Sequence, residues 1–178
     1  MRIKDLMTRK VETCTPDTTL AEAGWKMWER DCGVLPILSD GKVVGMVTDR
    51  DIAIAAATKA HSAREIAVRE VMNRKVHACD PEEDLSAALD IMAQEQVRRV
   101  PVVDSLDQLQ GVLSLNDLIL RAESTRGNAG TSLSFEDVME TLKEVSKHRK
   151  EPQTGTGRRE ELPGRGISAK ETPAGRRQ

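Results

Sequence analysis

The chain has 178 residues, 38 % hydrophobic and 31 % charged, with a net charge of −2. That length allows one or two small domains; no apolar run approaches the ~20 residues of a membrane span, and the opening MRIKDLMTRK lacks the apolar middle of a signal peptide. Cys14, Cys32 and Cys79 form no CxxC pair and His61, His77 and His148 are scattered, which excludes a recognisable zinc spacing and fits a reducing, cytoplasmic setting.

In chain order, the first predicted element is a short extended piece, VETC, ending before Pro16. Thr19-Leu20-Ala21-Glu22 then has the form of a capping box. Leu20, Ala23, Gly24, Met27 and Trp28 follow at helical spacing, and Cys32-Gly33 reads as a helix stop. VLPIL and KVVGMVT read as two strands joined by the turn SDG, and a helix is predicted from Asp49 to about Ala60.

The chain then repeats itself. At an offset of 65, Met7, Arg9, Lys10, Val11, Cys14 and Pro16 fall on Met72, Arg74, Lys75, Val76, Cys79 and Pro81. Leu20, Ala23, Met27 and Pro36 fall on Leu85, Ala88, Met92 and Pro101. After one inserted residue in the hairpin turn, Gly45, Thr48 and Asp51 meet Gly111, Ser114 and Asp117. The second copy therefore reads VHAC, a helix from Leu85, strands VPVV and LQGVLS, and a helix from Leu115 to about Ser124. The expected fold class is α/β (α+β): two β-α-β-β-α repeats, 1–62 and 63–125, packed about a pseudo-twofold axis.

The repeated phrase, GMVTDRDI at 45–52 and GVLSLNDL at 111–118, carries the functional question. Thr48-x-x-Asp51 and Ser114-x-x-Asp117 both fit a helix capping box, which explains the spacing without a ligand. Gly45 and Gly111 inside strands point instead to a bulge or a close approach. Pro36 and Pro101 remove a ladder donor, which suits an unpaired edge. Arg50 lies between two aspartates at a helix start, where amides favour anions. A hydroxyl, a helix N-terminus and an arginine make a phosphate seat, and an aspartate one turn away can accept from a ribose diol.

With PILSDGKVVGMVTDRDI and VRRVPVVDSLDQLQGVLSLNDLI on the page, the chain resembles a tandem pair of cystathionine-β-synthase (CBS) domains, a Bateman module, over about residues 1–124. The resemblance implies a regulatory module rather than an enzyme, holding an adenine nucleotide (AMP, ADP or ATP, with NAD or S-adenosylmethionine as further options) and requiring no cofactor. By position it assigns one site to Asp51 for ribose, Thr48 and Arg50 for phosphate, and Cys14, Val34, Leu35 and Pro36 around adenine. The other takes Asp117 and Ser114, with Cys79, Val100 and Pro101 near the base. The sites are unequal, because Asn116 answers Arg50 while Gly33 and Val34 answer Arg98 and Arg99, so Arg50 is expected to serve the Asp51 site and Arg99 the Asp117 site.

Trp25 lies off the inward stripe of its helix and its twin is Asp90, so it marks a partner surface. The expectation is a homodimer through the repeat helices near Trp25, and an unknown regulated protein beyond it. Residues 126–146 hold a linker and an amphipathic helix, SFEDVMETLKEV, with Phe135, Val138, Met139, Leu142 and Val145 on one face. From Lys147 to Gln178 there are nine Lys or Arg against four Asp or Glu, a balance of +5 that leaves −7 on the rest. That tail, 147–178, is expected to be disordered. Nucleic-acid binding through it is the lesser alternative, as base-stacking aromatics are absent. A ligand-free CBS scaffold or dimerisation protein is the main alternative. No nucleophile–base pair or glycine-rich phosphate loop points to catalysis.

Overall fold

The computed structural model describes residues 1–122 and 133–147; the expected tail, Lys147 apart, and residues 123–132 lie outside the described residues. Each copy has a helix, a two-stranded antiparallel hairpin and a second helix. In the first these are α1 (Leu20–Glu29), β1 (Val34–Ser39), β2 (Lys42–Thr48) and α2 (Asp49–Thr58). In the second they are α3 (Leu85–Glu95), β3 (Arg99–Val103), β4 (Leu109–Ser114) and α4 (Leu115–Arg121), and α5 (Phe135–Ser146) follows.

Local chemistry accounts for these boundaries. The Glu22 amide donates to Thr19 Oγ1 at 3.2 Å while Glu22 Oε2 accepts from the Thr19 amide at 3.0 Å, the reciprocal capping box expected at the start of α1. The β1–β2 turn places both Asp40 (φ 51°) and Gly41 (φ 80°) in the left-handed region, as a two-residue hairpin loop requires. The stop of α1 differs from expectation: the left-handed residue is Asp31 (φ 48°), not Gly33. Trp28 is exposed rather than inward, and only Leu20, Ala23 and Met27 of α1 are buried.

VETC and VHAC do not form strands, and four prolines explain why. Cys14 makes one parallel bridge to Ile37, its amide donating to Pro36 O at 3.1 Å and its carbonyl accepting from Leu38 N at 2.8 Å. The next parallel rungs need amide donors at Pro36 on one side and Pro16 on the other, and neither has an N–H. Cys79 bridges Val102 through Pro101 O and Val103 N at 3.1 and 2.9 Å, with Pro101 and Pro81 stopping the ladder in the same way. Each first strand shrinks to a single residue.

The cores exchange their opening segments. Ile3 and Met7, from the start of the chain, are buried with Leu85, Ala88, Met92 and Leu113 of the second copy. Ile66, Val68 and Met72, from the start of the second copy, are buried with Leu20, Ala23, Leu35 and Val47 of the first. The backbone follows suit. Ile3 N donates to Glu83 O at 2.9 Å, and Val68 N donates to Thr18 O at 2.8 Å. Thr8 exchanges two hydrogen bonds with Val112, and Asn73 exchanges two with Met46. This reciprocity is the pseudo-twofold relation in contact form.

Helix α5 packs on α3 and α4 and joins the second core through Val138 and Val145, with Thr141 also buried and Leu142 partly so. Phe135 and Met139 are exposed, so the docked stripe is narrower than the apolar face expected from the sequence.

Candidate functional site

Both repeated phrases fold into the same corner, a strand end running into a helix start. Thr48 Oγ1 donates to Asp51 Oδ2 at 2.7 Å, the same oxygen accepts from Thr48 N at 2.9 Å, and Asp51 N donates to Thr48 Oγ1 at 3.2 Å. Ser114 and Asp117 repeat the set at 2.6, 2.8 and 3.2 Å. Each aspartate thus spends one carboxylate oxygen, Oδ2, on the cap. Among the described residues, Oδ1 of Asp51 and of Asp117 accepts no hydrogen bond. Cap and ligand contact are therefore compatible for the carboxylates. For the hydroxyls they compete, since the single proton of Thr48 or Ser114 is already given to Oδ2.

The strand pairing brings most of the expected residues to these corners. Val34 stands opposite Thr48, Leu35 opposite Val47 and Pro36 opposite Met46; Arg99, Val100 and Pro101 stand opposite Ser114, Leu113 and Val112. Alternation then divides them. Leu35 and Val100 are fully buried in the two cores with Ile37 and Val102, so they face away from any slot beside the adjacent hydroxyl. Cys14 and Cys79 abut Pro36 and Pro101 through their backbone bridges. Burial pushes the Cys14 thiol up to about 11 and the Cys79 thiol up to about 12. Both are neutral S–H groups near pH 7, suited to packing rather than redox chemistry.

Gly45 and Gly111 sit in close approaches, but the approaching atoms belong to the chain itself. A Cβ at Gly45 would lie 2.9 Å from Met72 Sδ and 3.1 Å from Asn73 O; at Gly111 it would lie 2.7 Å from Thr8 O. The strands also slip register there, between Ile37 and Leu38 and between Val102 and Val103. Bulge and exchange account for both glycines.

The cations are not distributed as the repeat alone implies. Arg50 is exposed on α2, and Asn116 is exposed at its place on α4. A Cβ at Gly33 would meet Asp49 Oδ2 at 2.9 Å and Arg99 Nη2 at 3.6 Å. Arg99, carried by the second copy, therefore brings its guanidinium to the Gly33–Asp49 corner of the first. Arg98 is exposed, and its carbonyl accepts from Leu115 N at 2.8 Å. Asp49 was not singled out in the sequence; the one signal for it is that its counterpart, Leu115, is apolar and buried. The copies also reverse the order of a polar contact just upstream of each cysteine: the Glu12 carboxylate meets Arg30, whereas His77 meets the Glu95 carboxylate, each at 3.1 Å.

Open volume is modest at the Asp51 corner. Asp51, Ile54, Ala55, Thr58, Lys59 and Val71 line a groove of about 190 Å³, below the ~300 Å³ at which ligand pockets begin. A larger groove of about 740 Å³ runs between α3 and α5, lined by Leu89, Asp90, Thr141 and their neighbours and by neither phrase. Among the described residues, no three His, Cys, Asp or Glu gather as a metal site, and no helix is long and apolar enough to cross a membrane.

The CBS domain family matches residues 3–58 and 68–123. The CBS domain-containing protein YhcV of Bacillus subtilis is 35 % identical over 138 residues, covering 76 % of this chain and 97 % of that one. The gamma-3 subunit of the 5′-AMP-activated protein kinase of Bos taurus is 34 % identical over 98 residues, covering 51 % of this chain but only 20 % of that subunit. Among solved structures, the CBS domain pair of protein MJ0100, in complex with 5′-methylthioadenosine and S-adenosyl-L-methionine, superposes with a TM-score of 0.60 at 26 % identity. That match covers 66 % of this chain and 92 % of the other. Two family matches in tandem, on two copies that exchange their opening segments, make this chain a member of the CBS domain family carrying a CBS pair.

Proposed function

We propose that this protein is a non-enzymatic cytosolic sensor of adenine nucleotides, of the AMP, ADP or ATP type, that signals to a partner protein. The observation that carries the reading is the uncommitted Oδ1 on both Asp51 and Asp117, one turn into a helix beside a hydroxyl and a proline-truncated strand edge. A ribose diol supplies two donors of the kind such an oxygen accepts. The two ligands of the MJ0100 pair share an adenosine, which supports the same class of ligand here.

The Thr48–Asp51 corner is the stronger of the two. It has Arg50 on α2 and the Arg99 guanidinium arriving from the other copy, whereas the Ser114–Asp117 corner has Asn116 in place of Arg50. Arg99 thus serves the phosphate end of the first site, across the repeats. A bound phosphate would take the Thr48 hydroxyl proton now given to Asp51, while the Thr48 amide still caps through Oδ2. The competing reading, a ligand-free scaffold, is favoured by the closed capping boxes and the small volume beside Asp51.

Titration calorimetry of the wild type, Asp51→Asn and Asp117→Asn with AMP, ATP, NAD and S-adenosylmethionine, beside urea melts, separates the readings. A nucleotide site predicts affinity lowered roughly ten- to a hundredfold, the worth of a charged hydrogen bond, at stability changed by about 1 kcal/mol or less. Unchanged affinity with lowered stability would make the phrases caps and nothing more. A wild type that binds none of the four is the scaffold.

A further inference from the structure

Helix α5 lies outside both family matches, and beside α3 it leaves a groove of about 740 Å³ that neither repeated phrase lines. That volume is within the ~300–1,000 Å³ of ligand pockets. Leu85, Leu89 and Leu133 give it an apolar wall, and five carboxylates, Asp84, Asp90, Asp137, Glu140 and Glu144, stand around them. Against these, the lining residues supply one cation, the chain's amino group, 3.8 Å from Asp84. Glu144 is answered by Lys147, and Asp137 gives one oxygen to the cap of α5. Asp90 and Glu140 are exposed and, among the described residues, make no hydrogen bond or ion pair. A row of carboxylates by itself is a solvated surface. Thr141 adds a separate observation. It lines the groove and is only 5 % exposed, yet its hydroxyl has no hydrogen-bond partner among the described residues. A helical hydroxyl commonly turns back to a carbonyl, as Thr58 Oγ1 does to Ile54 O at 2.7 Å. The Thr141 oxygen does not, and it is not sealed from solvent. It is left to whatever fills the groove.

We propose that this groove binds a linear aliphatic polyamine, a triamine of the spermidine type. Ammonium groups carry donors and no acceptor, so they satisfy the carboxylates and the Thr141 oxygen alike. Asp137, Glu140 and Glu144 recur about one helical turn apart, some ~5–6 Å between Cβ atoms, close to the reach of the three- or four-carbon links between such ammoniums. The methylenes between them lie on the leucines. Along α3 the lining runs from Leu85 to Ala93, about 12 Å at the rise of a helix, which an extended triamine spans. A bare divalent cation is met less well, because among the described residues no three acidic groups converge as a metal site. Phosphates are repelled by the same five charges. The inference stands apart from the nucleotide reading, because no lining residue belongs to the Asp51 or Asp117 corner.

Titration calorimetry of the full, nucleotide-free chain with spermidine in about 0.15 M salt is the test, with hydrogen exchange as a second readout. The expected result is one saturable site per chain and slowed exchange over residues 137–144. Asp90→Asn with Glu140→Gln removes two exposed, unpartnered carboxylates and should weaken binding at least roughly tenfold, with a urea melt near that of the wild type. Thr141→Val keeps the shape without the hydroxyl and should weaken it roughly fivefold. Glu29→Gln with Asp31→Asn removes the same charge from the first copy and should change little. Asp51→Asn and Asp117→Asn should leave spermidine binding unchanged, so this outcome and that of the nucleotide titrations are separable. A wild type with no saturable site overturns the proposal. So does binding that magnesium displaces at equal ionic strength, or that the Glu29–Asp31 variant weakens as much, since either is charge alone. A groove that takes an arginine-rich peptide but no spermidine overturns it as well.

Discussion

Gly24, Gly45 and Gly111 show how far residue identity is decided by neighbours. The first lies in α1 with no atom within 4 Å of a would-be Cβ, although the sequence spacing placed it on the inward stripe. Gly24→Ala should therefore gain up to about 1 kcal/mol of helix propensity. Gly45→Ala meets first the end of the flexible Met72 side chain, at 2.9 Å, and Gly111→Ala meets backbone, Thr8 O at 2.7 Å. The expected cost is about 1–3 kcal/mol for Gly111→Ala and less for Gly45→Ala, since a thioether can turn aside and a paired carbonyl cannot. Urea denaturation of the three variants checks the order. Equal effects would mean that the exchanged segments do not approach as closely as described. Leu35 and Val100, expected around the base, lie buried in the two cores: a hydrophobic strand residue reads alike on either face, and only pairing shows which one it occupies.

Among the elements, the helix starts were the most legible, because a cap is a contact between residues three apart. Thr19, Thr48, Ser114 and Ser134 each cap their helix with the acid at the third position. The start of α3 is different: Asp84 makes no side-chain cap and only a distant contact to the chain's amino group, at 3.8 Å. Thr19→Ala should thus cost about 1 kcal/mol in a urea melt and Asp84→Ala a few tenths at most. A larger loss at Asp84 would show a cap that forms in solution. The truncated first strands could also have been read from the sequence, given the parallel register; the prolines were visible, but their partner across the ladder was not.

For the molecule as a whole, the exchange of opening segments makes the copies interdependent. Ile3 has no exposed surface and belongs to the second core, and Val68 is equally buried in the first. Ile3→Ala should cost about 2–5 kcal/mol, and by native-state hydrogen exchange it should loosen residues 85–118 before 20–58. Val68→Ala should loosen them in the opposite order. Each variant loosening the repeat it is written in would overturn the exchange.

The sequence by itself determined the doubled unit, its helix caps, its hairpins and the family, because each rests on contacts between residues near in the chain or on the chain's likeness to itself. Tertiary structure decided what depends on contacts from one copy to the other. The motif glycines yield to the other copy's opening segment, Arg99 reaches the Asp49 corner of the first repeat, and α5 docks on α3 and α4 of the second copy. Those contacts join residues far apart in the chain, such as Gly45 with Met72 and Gly111 with Thr8, where no spacing rule links one side chain to the next, so only the packed fold brings them together.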